Sequence, residues 1–320
     1  MKIAKRMSLL LLCGLLLMQT GCVTRTISRP SVWMVVKCTT TDFWQAAFAG
    51  ASAAKAEYDL DLTVIGPQTE EDYRTQNAYI ARAVEKGADA IVLSAISYTG
   101  NAEAVKQAVD AGVKIIVIDS DVDSEHVAAR IGTDNVEAGR LACQAALELQ
   151  AQELNVGIIN VDAGVRNGQE RESGFRSCLQ EDPRVKQVYT INVLADAADA
   201  QVQAERLLRR HPEINVLVSF NEPLSVGAAR AVEALELEDQ VRLISFDTNL
   251  ECIDKLRTGI VSALVVQNPY AMGYLGVETA WKLLLKDPTQ EPDVLTTPAV
   301  LVTRENMFSP EQQKVLFPFD

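Results

Sequence analysis

Four polar residues stand where apolar runs end: Asp119 after 113–118, Asn221 after 216–220, Asp247 after 241–246 and Gln267 after 263–266. An apolar run of that length reads as a strand buried on both faces, and its polar terminus falls where the chain leaves the sheet. In an open parallel sheet, ligands bind in the crevice outside the carboxyl ends of the strands. A single strand ending in Asp or Asn most often just begins a loop. Four together are harder to dismiss, and the rest of the chain reads as a scaffold that brings those ends together.

Positioning four strand ends requires a scaffold, and the remaining pattern supplies one. From residue 32 onward, strands and helices alternate, which predicts an α/β fold with parallel sheets. The expected strands are 32–38, 60–65, 90–94, 114–119 and 128–132, then 155–161, 185–193, 216–220 and 241–246. Helices are expected over 43–58, 70–86, 101–111, 133–151, 168–180, 198–210, 223–234 and 250–257, with Gly87 and Gly112 as stop signals. Two similar halves result, without a residue-level repeat.

The 320 residues allow two domains, and 48% hydrophobic with 23% charged residues fits a soluble globular protein. Formal charge is −13, and loss of Lys2, Lys5 and Arg6 with a leader makes the mature chain more negative still. Such a surface is a poor match to a polyanion, so nucleic acid is not an expected partner. The leader consists of those basic residues, an apolar core over 8–18 and then Gln19-Thr20-Gly21-Cys22. The apolar core is too short to span a bilayer, so it reads as a secretory signal. Cys38, Cys143, Cys178 and Cys252 lack C-x-x-C spacing, and only His126 and His211 could complete a metal shell, so no metal site is expected. Export permits one or two disulfides, with buried thiols as the default.

Several segments together carry a resemblance. They are Val35-Val36-Lys37-Cys38-Thr39-Thr40-Thr41-Asp42-Phe43-Trp44, Ile116-Val117-Ile118-Asp119, Gly132-Thr133-Asp134-Asn135, Glu170-Arg171-Glu172-Ser173-Gly174-Phe175, Phe220-Asn221-Glu222, Ser245-Phe246-Asp247 and Val266-Gln267-Asn268-Pro269. In order and spacing, over about 31–305, they resemble the ribose-binding-protein-like class of type I periplasmic sugar-binding proteins. The resemblance implies two doubly wound parallel-sheet lobes joined by three hinge strands. The lobes would comprise 31–133 plus 268–296 and 134–267 plus 297–320, with crossings near Thr133, Gln267 and Thr297. Thr20-Gly21-Cys22 resembles a lipoprotein processing site, with Gln19 where an aliphatic residue is usual. It implies a signal peptide over 1–21, lipidation of Cys22 and a tether over 22–30.

Carried onto this sequence, the resemblance implies that Phe43 and Trp44 stack on a sugar, whose C–H faces are apolar. It places Asp119, Asn221, Asp247 and Gln267 at hydroxyl-binding positions, where carboxylates accept two hydroxyl protons and amides both donate and accept. Thr41, Ser120, Gln169 and Phe246 complete the expected pocket. Ser120 and Gln169 stand where relatives carry arginine, Thr41 where they carry Asn, and Ala195 where they carry an aromatic. A structural role is expected for Arg171. The pocket should therefore hold two carboxylates without cationic neighbours.

The function expected is capture of a sugar-like solute by a monomeric, exported, lipid-anchored binding protein that delivers it to an ABC transporter permease. The alternative is a receptor presenting its ligand to a membrane sensor kinase or chemoreceptor. Catalysis and a cofactor are not expected, because no G-x-G-x-x-G opens the first helix and neither G-x-S-x-G nor H-E-x-x-H occurs.

Overall fold

A computed structural model describes residues 29–285 and 293–317. The leader, Cys22 and most of the tether lie outside the described residues, as do the last three residues.

In the first half, strands and helices follow as β1 (Ser31–Val35), α1 (Asp42–Tyr58), β2 (Asp61–Ile65), α2 (Tyr73–Glu85), β3 (Ala90–Leu93), α3 (Ala102–Asp110), β4 (Lys114–Ile118) and β5 (Ala129–Thr133). The second half runs α4 (Asn135–Leu147), β6 (Leu154–Asn160), α5 (Arg166–Leu179), β7 (Val185–Asn192), α6 (Ala197–Arg210), β8 (Val216–Ser219), α7 (Glu222–Ala234), β9 (Arg242–Phe246), α8 (Leu250–Thr258) and β10 (Ala263–Val266). The chain then completes both halves with α9 (Pro269–Leu285), β11 (Asp293–Thr297), β12 (Val300–Thr303) and α10 (Pro310–Leu316).

These elements form two six-stranded sheets, ordered β11-β5-β4-β3-β1-β2 and β12-β10-β9-β8-β6-β7. Every pairing is parallel except β10 with β12. Strands such as β3, β8 and β10 are buried at every position, as expected of strands covered by helices on both faces. Helix α9 packs on α1 and β4 in the first lobe, whereas α4 packs on α5, β9 and β10 in the second. The chain therefore passes between lobes after β5, after β10 and between β11 and β12.

In each lobe one helix pair approaches closely through small residues. A Cβ on Gly139 of α4 would collide with the Arg171 carbonyl of α5, and one on Gly273 of α9 with the Ala47 carbonyl of α1. The α4–α5 pair is also tied by a disulfide, Cys143–Cys178, while Cys38 and Cys252 are free and buried. Burial, foremost, raises the Cys38 thiol to about 11 and the Cys252 thiol to about 12, so both stay protonated at neutral pH.

Candidate functional site

The carboxyl ends of the two sheets face each other, and both strand-end aspartates leave their strands in the left-handed backbone region. Asp119, after β4, has φ 58° and Asp247, after β9, has φ 67°. Non-glycine residues adopt that region at a cost that Asp bears better than most, and such strain is concentrated at functional sites. Asp247 is 4% exposed and Gln267 5%.

One small cavity between the lobes is lined by Thr41, Phe43 and Trp44 from the first lobe and by Asn221, Asp247 and Gln267 from the second. Asp119 completes this part of the wall. Phe43 and Trp44 meet edge to face with centroids 5.0 Å apart, and Trp44 is almost fully buried. Asn221 serves two purposes, since its side chain also caps α7 by accepting from Leu224 N at 3.1 Å. Gln267 uses both ends of its amide: Nε2 donates to Asp247 Oδ1 at 2.6 Å, and Oε1 accepts from Thr133 Oγ1 at 2.9 Å and Arg171 Nη2 at 2.6 Å.

Three of the expected residues stand apart from that wall. Ser120 is fully buried with its Oγ unpartnered, Gln169 has a buried, unpartnered Nε2, and neither lines the cavity. Phe246 lies in the apolar core of the second lobe and supports the site from behind, with the Arg171 guanidinium 5.0 Å above its ring.

The expected absence of cations is overturned. Lys37 lies two residues past β1, 3% exposed, with Nζ 3.2 Å from Asp119 Oδ2 and 3.4 Å from Asn167 Oδ1. Arg171, 1% exposed, lines the cavity with Nη2 3.9 Å from Asp119 Oδ1, while Nε reaches Asn135 and Nη1 the Phe220 carbonyl. The physical reason is helical periodicity: Asn167 and Arg171 are four residues apart on α5 and share a face. Asn167 Nδ2 donates to Asp119 Oδ1 at 2.9 Å across the cleft.

Two further carboxylates were missed. Glu70 lines the cavity and accepts from Trp44 Nε1 at 3.1 Å. The expected helix over 70–86 absorbed it, but the true cap is Asp72, which accepts from Thr75 N, so Glu70 is left in the preceding loop. Glu222 of the second lobe accepts from Phe43 N at 2.8 Å and Asp42 N at 3.2 Å. It thereby caps α1 of the first lobe, whose own N-cap residue, Thr41, makes no side-chain cap bond. The first signal that could have found Lys37 is a lysine closing an apolar strand, which needs a buried counter-ion.

Electrostatics divide the carboxylates. Burial alone would raise Asp119, but Lys37, Arg171 and the Ser94 hydrogen bond hold it below its ordinary range. Burial pushes Asp247 up to about 6 despite Arg171 and Gln267, and Glu222 up to about 7 despite the amides of Phe43 and Asp42. Glu70 is raised by burial as well. The arrangement offers acceptors, donors and aromatic edges around a space of about 20 Å³, room for roughly one water. The lobes are in direct contact around it.

Residues 32–288 match the periplasmic binding protein domain family. The chain belongs to that family. The D-ribose/D-allose-binding protein of Pseudomonas aeruginosa is 27% identical over 303 residues, spanning 91% of this chain and 94% of its own length. A carbohydrate transporter solute binding protein from Agrobacterium radiobacter, solved in complex with D-arabinose, superposes with a TM-score of 0.85 at 28% identity, covering 91% of this chain and 100% of its own. A sugar transporter from Clostridium phytofermentans is 32% identical, with a TM-score of 0.76 over 86% of this chain and 99% of its own.

Proposed function

We propose that this protein captures a sugar or sugar-like molecule between its lobes and delivers it to an ABC importer. The observation that carries the reading is Asp119 and Asp247, one from each lobe, lining one cavity with Phe43 and Trp44 beside them. A ligand hydrogen-bonded to both carboxylates binds the closed form better than the open one, and so drives closure. Relatives named as import binding proteins favour delivery to a transporter over presentation to a membrane sensor.

The residues bound in this way would be Thr41, Phe43, Trp44, Asp119, Asn221, Asp247 and Gln267, joined by Lys37, Glu70, Asn167, Arg171 and Glu222. Four carboxylates against two cations, with both cations already turned toward Asp119 or Gln267, suit a neutral or amine-bearing polyhydroxyl ligand. Sugar phosphates and uronates would add a charge that no free cation meets. Before Cys22, cleavage followed by lipidation would tether the domain to the outer face of the cell membrane.

A thermal-shift screen against sugars, polyols, nucleosides and amino sugars tests the ligand class. A true ligand at a hundredfold excess over its dissociation constant stabilises by about 2.7 kcal/mol. No response across the panel would refute sugar capture. Mass spectrometry of the mature N-terminus, from a host that processes lipoproteins, tests the anchor; an unmodified terminus at another residue would refute it.

A further inference from the structure

The cleft holds a larger cavity than the one between the aspartates. At the mouth, away from the crossings, a space of about 440 Å³ is enclosed by Tyr73, Ile96 and Ser97 of the first lobe and Val161, Val165 and Leu194 of the second. Its volume is within the range of about 300–1,000 Å³ typical of small-molecule sites. These residues follow β2, β3, β6 and β7, whereas the crossing strands β5, β11, β10 and β12 lie toward the opposite edges of their sheets. Two hydrogen bonds between the lobes run beside the cavity: Tyr98 N to the Gly164 carbonyl at 2.9 Å and Ala195 N to Glu71 Oε1 at 2.7 Å. Glu70 lines both this cavity and the inner one, so the two are neighbours.

We propose that the mouth cavity is a second ligand subsite, which takes the second ring of a disaccharide-sized ligand whose first ring sits at Asp119 and Asp247. The inference rests on the sugar-binding reading above. Its apolar wall suits the C–H face of a sugar ring, and Leu194, 54% exposed, is left in water unless something covers it. Four carboxylates line the same space, from Glu70, Glu71, Asp162 and Asp199, and among the described residues no Lys, Arg or His does. Carboxylates only accept, so the matching edge of the ligand carries hydroxyls or an amine, and an aryl group or an anion does not fit. A ring lodged at the mouth also limits closure. Because the lobes turn about crossings at the other side, it stops them before the inner space shrinks to about 20 Å³.

Calorimetry on the full-length protein decides it, with D-glucose, D-galactose and D-arabinose compared against cellobiose, lactose and melibiose. At least one disaccharide should bind tenfold or more tightly than each of its component sugars. In Leu194→Arg, an exposed substitution whose guanidinium reaches the cavity's carboxylates, that advantage should vanish while monosaccharide affinity stays within twofold. Monosaccharides as tight as every disaccharide, or a Leu194→Arg variant that weakens both alike, would overturn the second subsite and leave sugar capture standing. Absence of binding by sugars of either size would overturn both.

Discussion

The Glu222 carboxylate of one lobe receives the Phe43 amide of the other at 2.8 Å, so the first turn of α1 is capped across the cleft. A helix start leaves its first amides without intrahelical partners, and they carry the positive end of the helix dipole. The two lobes are therefore joined by a contact made of protein groups alone.

That contact is predicted to respond to pH. In the closed form the Glu222 pKa is raised to about 7, foremost by burial, from an ordinary 4.5, and Asp247 shifts the same way to about 6 from 3.8. A raised pKa means that the closed form binds the proton more tightly than the open one. Its favourable contribution is full below the ordinary carboxylate range and is lost as pH rises through about 7. Small-angle scattering of the ligand-free protein should show a more compact particle at pH 5 than at pH 8. Glu222→Gln should flatten most of the difference. Equal radii at both pH values in the unaltered protein would count against the latch.

Lys37 and Asp119 are both buried, with side chains 4% exposed. Removing one partner strands the other charge, a loss of about 3–5 kcal/mol. Lys37→Met is expected to lower unfolding stability by that order, and adding Asp119→Asn should recover much of it. Denaturant unfolding of the two variants measures the coupling; a Lys37→Met cost under about 1 kcal/mol would mean that the pair is solvated.

Asp247 has a different role, since its hydrogen-bond partner is the Gln267 amide rather than a lysine. A charge-assisted hydrogen bond to ligand is worth about 1.5–3 kcal/mol, so Asp247→Asn should weaken a bound sugar by roughly ten- to a hundredfold with folding intact. Isothermal titration with any sugar found in the screen gives the answer, and unchanged affinity would remove Asp247 from the site.

The bond between Cys143 and Cys178 closes a loop with a sequence separation of 35. Loop entropy assigns such a bridge about 3–4 kcal/mol. Reduction, or Cys143→Ser with Cys178→Ser, should lower the second lobe's denaturation midpoint accordingly and leave the first lobe's unchanged. A midpoint that ignores reductant would show that helix packing alone carries the pair.

The two-lobed α/β architecture was legible because buried parallel strands and capped helices alternate at local spacings. Asp119 and Asp247 were legible for the same reason, each being the first polar residue after an apolar strand. Lys37 was passed over inside the run assigned to β1, although a lysine there needs a partner. Glu222 gave no local sign at all, being an ordinary acidic first-turn residue whose partner, Phe43, lies 179 residues away. Arg171 was given only a structural role because the carried-over pattern favoured Gln169, whereas the face shared with Asn167 is what reaches the cavity. The cysteine bridge joins neighbouring helices, a pairing that spacing does not encode.

With the lobes touching and only about 20 Å³ between the aspartates, a conformation shut this far leaves no room for a sugar ring. Shut molecules act as an internal competitor: apparent affinity falls in proportion to the fraction still competent to bind, so a population nine-tenths shut would weaken it about tenfold. Any substitution that loosens Glu222 from α1 then has two opposed effects, raising the competent fraction while removing a contact from the closed complex. The binding strength of this protein then depends on the fraction of molecules shut that far as well as on what the pocket offers the sugar.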